Sequence, residues 1–235
     1  MNVLITGHSK GIGAGLANVF LNNGHHVSGI SRTLLKTECI NIQQYEINLK
    51  NKSNVIDTLS HLVYEIKKIP DVVFLNAGIL GPIASLQNTK STELQHVMDI
   101  NVWVNKVILD WFLKNKISPS QIITISSGAA IRGNYGWSSY ALSKSTLNML
   151  TQLYAHEFKN SHLLALAPGY VDTNMQATLR EKDSSEFSSL KPLHQAYGTS
   201  RMPSAKNVAE KIVAKLSTLK NLKSGSYCDL RTVDL

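Results

Sequence analysis

Short apolar runs alternate with longer stretches in which apolar residues recur every three or four positions, and this alternation continues along most of the chain. Residues 3–6 predict a buried strand, and Ile12, Leu16, Val19 and Phe20 behind it mark the inner face of a helix that Gly24 ends. Residues 26–31 and 42–47 predict the next two strands. Val55, Leu59, Leu62, Val63 and Ile66 then fall on one helical stripe, and Pro70 stops it, because the residue before a proline is pushed out of the helical region. Residues 71–75 predict the fourth strand, 91–116 one long helix, and 121–125 the fifth strand. A helix capped by Ser138 or Ser139 runs to about residue 159, followed by a strand over 161–167, a helix over 207–216 and a last strand over 226–230.

Strands that alternate with helices in this order predict an α/β fold, a doubly wound, Rossmann-like parallel sheet of about seven strands with helices on both faces. Right-handed crossovers give the strand order 3-2-1-4-5-6-7. A chain of 235 residues that is 43% hydrophobic can bury one substantial core, so residues 1–235 are expected to form a single domain. The stretch 175–197 breaks the pattern. Its middle, Glu181-Lys-Asp-Ser-Ser-Glu-Phe-Ser-Ser189, is polar and holds too few apolar side chains to fix itself, so a mobile lid is expected there.

The net charge of +8 raises nucleic acid as a partner, but Lys and Arg are dispersed rather than gathered into a stripe with interleaved aromatics. A solvated basic surface follows, which suits an anionic cofactor and gives no nucleic-acid partner. No apolar run is long enough to cross a bilayer, and Met1-Asn-Val-Leu-Ile-Thr-Gly lacks the basic flank and apolar core of an export signal. A cytoplasmic protein with no membrane partner is expected. Cys39 and Cys228 match no zinc or redox spacing, and His8, His25, His26 and His156 match no metal-ligand spacing, so no metal is expected.

Candidate chemistry enters at the carboxyl ends of the strands, where open parallel sheets place their ligands. The first strand runs into Gly7-His-Ser9-Lys10-Gly11-Ile12-Gly13 and then into a helix. Glycines allow backbone to approach a phosphate closely, and the free N–H groups of a helix N-terminus suit its charge. After the second strand, Arg32 stands where an acidic residue would bind the ribose hydroxyl of NAD, and an arginine there accommodates the 2′-phosphate of NADP. Lys10 can reach the same phosphate, and NADP is the expected cofactor. Ser126 and Ser127 follow the fifth strand, and Tyr140 and Lys144 lie at i and i+4 on the next helix. A free phenol has a pKa of about 10, which an adjacent ammonium lowers, so Tyr140 is expected to exchange a proton with a carbonyl or alcohol oxygen. Asn101 lies inside the long helix, where asparagine is a mediocre former, and is expected at the surface with its amide bonded to water or the helix backbone.

Taken in order and near the family spacings, Thr6-Gly7-x-x-x-Gly11-Ile12-Gly13, Asn76-Ala77-Gly78, Asn101, Ser127, Tyr140-x-x-x-Lys144 and Pro168-Gly169 with Thr173 resemble a short-chain dehydrogenase/reductase over essentially the whole chain. The resemblance implies hydride exchange between a nicotinamide and the carbonyl or alcohol carbon of a small or medium apolar substrate. It implies Tyr140 as general acid/base, Ser127 as the group that binds the substrate oxygen, Lys144 on the nicotinamide ribose and lowering the Tyr140 pKa, and Asn101 as holder of a relay water. The thirteen-residue interval to Tyr140 selects Ser127 over Ser126, which faces the other way along the strand. The same likeness sets Asn76, Ala77 and Gly78 beside the cofactor, with Pro168, Gly169, Val171 and Thr173 beside its nicotinamide end. Asn48 stands where the family usually has Asp near the adenine.

The substrate pocket is expected to draw on Tyr135, Trp137, Tyr170, Met175 and the lid. Members of the family commonly pair through the two long helices, so a homodimer or homotetramer is expected, with Trp103, Trp111, Met149 and Tyr154 offering apolar area. A rival reading, a non-catalytic NADP(H)-binding sensor or regulatory protein on the same fold, has no chemical need for Ser127, Tyr140 and Lys144 together.

Overall fold

In a computed structural model, which describes residues 1–233, β1 (Asn2–Thr6) leads through a glycine turn into α1 (Gly11–Asn22), β2 (His26–Ser31) and β3 (Ile42–Glu46). Next come α2 (Lys52–Ser60), which ends in a π-helical turn at His61–Glu65, and β4 (Val72–Leu75). α3 (Ser91–Met98) passes through a second π turn at Asp99–Trp103 into α4 (Val104–Lys114), followed by β5 (Gln121–Ile125), the short α5 (Ala129–Arg132), α6 (Ser138–Glu157) and β6 (His162–Ala167). α7 (Asn174–Arg180), α8 (Lys191–Ala196), α9 (Ala205–Ala214), α10 (Leu216–Lys220) and β7 (Tyr227–Asp229) complete the chain. Positions 234 and 235 of the expected 1–235 domain lie outside the described residues.

The strands form one sheet in the order β3-β2-β1-β4-β5-β6-β7, with every neighbouring pair parallel, the expected topology. Its central strands are almost continuously apolar because both faces are covered. Successive residues alternate faces, so Leu4, Val73 and Ile122 pack against α2, α4 and α6 through Val55, Leu59, Ile108, Phe112 and Tyr154. Val3, Ile5, Phe74 and Ile123 pack on the other side against Leu16 and Phe20 of α1 and Val208 and Ile212 of α9. α1 and α9 meet at Gly15, where a Cβ would lie 2.6 Å from the Ala205 carbonyl oxygen.

Three expectations need correction. The helix expected over 91–116 is two α-helices separated by the π turn. The π turn after α2 adds a residue to the helical turn and rotates the positions beyond it, so Ile66, expected on the buried stripe, is 37% exposed. Neither Ser138 nor Ser139 caps α6: Trp137 occupies the cap position, the Ser138 hydroxyl meets the Thr89 hydroxyl at 2.7 Å, and Ser139 is buried beside Gly81.

The stretch 175–197 also has more order than its composition suggests. Leu179, Phe187, Leu190 and Leu193 are buried against Trp137, Tyr140 and Met202 in a third apolar cluster, and the Trp137 indole N–H donates to the Ser189 hydroxyl at 2.9 Å. At about 1.5–3 kcal/mol for each fully buried side chain, these four seat the segment as a cap on the cleft.

Candidate active site

The glycine turn has the form its residue types require. Gly7 and Gly11 have φ of +70° and +54°, the left-handed region that L side chains rarely enter. No side chain caps α1 and its first turn holds no acidic residue, so its leading N–H groups have no intrahelical or side-chain claimant. Gly13 sits behind this wall: a Cβ there would lie 2.1 Å from the Gly7 carbonyl oxygen, so glycine lets helix and turn touch. The Thr6 hydroxyl accepts the N–H groups of Asn76 and Ala77 at 3.0 and 3.1 Å, and the Asn76 amide donates to the carbonyls of Thr6 and Gly7 at 3.0 and 3.2 Å. The two motifs thus brace each other, and the Asn76 amide shapes the turn.

One cleft of about 1010 Å³ runs along the carboxyl edge of the sheet. Strand order fixes the sequence of residues across it. Asn48 follows β3, Arg32 follows β2, Gly7, Ser9, Lys10, Gly11 and Ile12 follow β1, and Asn76, Ala77 and Gly78 follow β4. Ser127 follows β5, with Tyr140 and Lys144 on α6, and Pro168, Gly169, Val171 and Thr173 follow β6. Gly11 and Thr173 face each other, since a Cβ on Gly11 would lie 3.4 Å from the Thr173 methyl. Of the residues singled out in the sequence for the cofactor or for catalysis, Gly13 and Asn101 do not line the cleft.

Ser126 and Ser127 diverge as strand alternation requires. Ser126 is buried and hydrogen-bonded to Asn148 of α6, whereas the Ser127 hydroxyl, facing the cleft, accepts the Ala129 N–H at 3.1 Å. Tyr140 and Lys144 are both buried, and the Lys144 Nζ lies 5.7 Å from the centre of the Tyr140 ring. The ammonium donates to the Ile125 carbonyl at 2.6 Å. Its effect on the phenol differs from the expected one. Burial pushes the Tyr140 phenol above its ordinary value, with interaction with the Ser127 hydroxyl pulling the other way, and burial brings Lys144 from 10.5 down to about 8. Desolvation penalises phenolate and ammonium alike, and it outweighs their proximity.

Asn101 is not a surface residue. It is fully buried in the π turn, where its Oδ1 accepts the Ile79 N–H at 2.8 Å and its Nδ2 donates to the Ile79 carbonyl and the Ser143 hydroxyl, both at 2.9 Å. It pins the segment after Gly78, which forms cleft wall, to α6. The bond to helix backbone expected of Asn101 is made by Asn105, whose amide donates to the Asn101 carbonyl at 2.8 Å.

Trp137, Tyr170 and Met175 line the cleft as expected, but Tyr135 does not: it is exposed and stacks on Phe187 with ring centres 5.6 Å apart. The wall also takes Leu80, His96, Arg132, Leu193 and Arg231. These arrive from α3, α5, α8 and two connecting segments far apart in the chain, with no spacing that ties them to the motifs. Arg231 is held by Asp229, its Nε donating at 2.9 Å.

A nicotinamide dinucleotide fits these residues. The uncapped start of α1 and the glycine backbone suit its phosphates, and the exposed cations of Arg32 and Lys10 lie on the same wall. Among the described residues no helix is long and apolar enough to cross a membrane, and no three His, Cys, Asp or Glu side chains gather as a metal would need. Residues 1–184 match the family model for short chain dehydrogenases. The chain is 28% identical to a benzil reductase of Bacillus subtilis over 238 residues, 97% of each chain. It is 29% identical to an NADPH-dependent pterin aldehyde reductase of Arabidopsis thaliana over 184 residues, 74% of this chain and 76% of that one. A short chain dehydrogenase/reductase of Saccharomyces cerevisiae superposes with a TM-score of 0.86 at 22% identity, covering 97% of this chain and 95% of that one.

Proposed function

The chain belongs to the short-chain dehydrogenase family and is an oxidoreductase that works with a nicotinamide cofactor, and from that premise we propose that it is an NADP(H)-dependent reductase of carbonyl groups on small or medium apolar substrates. The observation that carries this reading is the single cleft that holds the Arg32 and Lys10 cations and, further along the sheet edge, Ser127, Tyr140 and Lys144. When bound, the cofactor supplies the hydride. The start of α1, Lys10 and Arg32 hold its phosphates, and Lys144 holds the nicotinamide ribose. Ser127 and Tyr140 bind the substrate oxygen from two sides, and Tyr140 gives it a proton. Burial disfavours the phenolate, so the phenol holds the proton that reduction requires of it.

Leu80, Trp137, Met175 and Leu193 give the substrate apolar walls, in keeping with the aromatic diketone named for the Bacillus relative and the NADPH named for the Arabidopsis one. A reducing, cytoplasmic setting fits the unpaired Cys39 and Cys228. The reading is tested by NADPH oxidation against diketones, quinones and aldehydes. Turnover of at least one apolar carbonyl is expected, and NADPH binding without turnover of any would favour the sensor instead.

Lys144 also makes stability depend on pH. Its folded value of about 8 lies below its ordinary 10.5, so between these values the unfolded chain binds the extra proton and stability rises with pH. Urea unfolding at about pH 7.5 and about pH 9.5 should show this gain in the wild type and its loss in Lys144→Met. An equal pH response in both proteins would show that Lys144 titrates normally.

We also propose a homodimer or homotetramer through α4 and α6, with a corrected set of contacts. Trp111 and Tyr154 belong to the chain's own core, whereas Leu142, Met149 and Leu153 are exposed on α6 at helical spacing. Light scattering at micromolar concentration should give at least twice the chain mass, and Met149→Glu with Leu153→Glu should lower it to one.

A further inference from the structure

His8 lies in the glycine turn, fully buried, and β2 gives up a side chain to seat it: a Cβ on Gly29 would fall 2.3–2.5 Å from the imidazole Cγ, Cδ2 and Nδ1. Its hydrogen bonds can be assigned from its neighbours. Gln44 faces one way only, because its Oε1 accepts the Leu35 N–H at 2.7 Å while its Nε2 donates to the Leu35 carbonyl at 3.2 Å. The same Oε1 lies 2.7 Å from His8 Nε2, and an amide oxygen only accepts, so that ring nitrogen carries the proton. On the other side Nδ1 carries no proton and only accepts, and the Ser31 hydroxyl, 3.0 Å from it and 2.7 Å from the Thr33 carbonyl, has one proton to give to one or the other at a time. The Thr33 hydroxyl in turn meets that of Ser9 at 2.9 Å.

The loop after β2 is therefore fastened at Thr33 and at Leu35, each time through a side chain that bonds His8. Arg32 stands beside these fastenings, exposed and with no ion pair among the described residues. We infer that His8 is a positioning residue that sets cofactor choice: by ordering residues 31–35 in advance it presents Arg32 to the 2′-phosphate of NADP. The inference rests on the NADP reading above. A loop ordered before binding does not draw on binding free energy to become ordered, and only a ligand that engages Arg32 gains from this.

The test uses His8→Ala and the double variant His8→Ala with Gly29→Ala, in which the new methyl takes up space the imidazole leaves. Thermal midpoints, calorimetric binding of 2′,5′-ADP and 5′-AMP, and kcat/KM with NADPH and NADH are measured. His8→Ala should weaken 2′,5′-ADP about tenfold, the value of one net hydrogen bond, and lower the NADPH-to-NADH ratio by the same factor, with 5′-AMP binding much less affected. The double variant should regain thermal stability without regaining the ratio. Equal loss for both nucleotides, an unchanged ratio, or recovery of 2′,5′-ADP binding in the double variant would reduce His8 to a packing role and overturn the inference. If His8→Ala does not fold, the double variant alone decides. Wild-type protein that binds 5′-AMP as tightly as 2′,5′-ADP would instead overturn the NADP reading itself.

Discussion

Tyr140→Phe is expected to lower carbonyl reduction by about 10²–10⁴-fold while leaving nucleotide binding nearly intact. The phenol is a buried hydroxyl on the cleft wall beside Ser127, and burial raises its pKa, which favours the protonated form. Phenylalanine keeps the ring, its tilted contact with Trp137 at 6.0 Å between centres and its place in the cluster under the cap, and removes only the hydroxyl. Stability and cofactor affinity should therefore hardly move. Single-turnover measurements with NADPH would separate binding from chemistry. A variant that reduces its substrate at near wild-type rate would remove Tyr140 as the acid, and one that loses nucleotide binding would show that the hydroxyl is needed to build the site.

The second large effect concerns the other part of the cleft. A charge-assisted hydrogen bond contributes roughly 1.5–3 kcal/mol, or about 10- to 100-fold in affinity, so wild-type kcat/KM should favour NADPH over NADH by at least about tenfold. Arg32→Asp should reverse this, because the carboxylate repels the 2′-phosphate and accepts a hydrogen bond from a free ribose hydroxyl, for a total swing on the order of 10² or more. Position 32 is the place for the exchange. Ser31 next to it points inward, 5% exposed, with its hydroxyl committed to His8 and Thr33, so an acidic group there would be buried against the network that shapes the loop. Equal use of both cofactors by the wild type, or NADPH preference surviving in Arg32→Asp, would show that Arg32 does not meet the phosphate.

Much of this was legible in the sequence for one reason. Strands covered on both faces must be apolar throughout, so Val3–Ile5, Val72–Leu75 and Ile122–Ile125 announce themselves, and the order of the motifs then derives from the order of the strands. The π turns left no such mark. An i→i+5 bond needs no particular composition, and a buried Asn101 satisfied by Ile79 looks in sequence like an exposed asparagine on a regular helix. The spacing of Tyr140 and Lys144 shows that they are neighbours, but titration depends on how much water the fold removes from both, which spacing does not carry. The cap was missed because Leu179, Phe187, Leu190 and Leu193 are isolated apolar positions in a stretch that is otherwise polar, so its composition outweighed their spacing. They pack from two short helices and the turns between them.

The π turn at Asp99–Trp103 makes chain length at this point as critical as residue type. A π turn is an α-helix carrying one surplus residue, so removing a single position there would restore an unbroken helix with the residues on either side still in phase, and would close the wide turn in which Asn101 sits. Ile108 and Phe112 would keep their places in the core, while Asn101 would lose the turn that holds its amide against Ile79. Substitutions around the bulge can be absorbed one side chain at a time. A deletion cannot, which makes this stretch intolerant of gaps, and a designer who regularised the helix would gain backbone hydrogen bonding at the expense of the cleft wall.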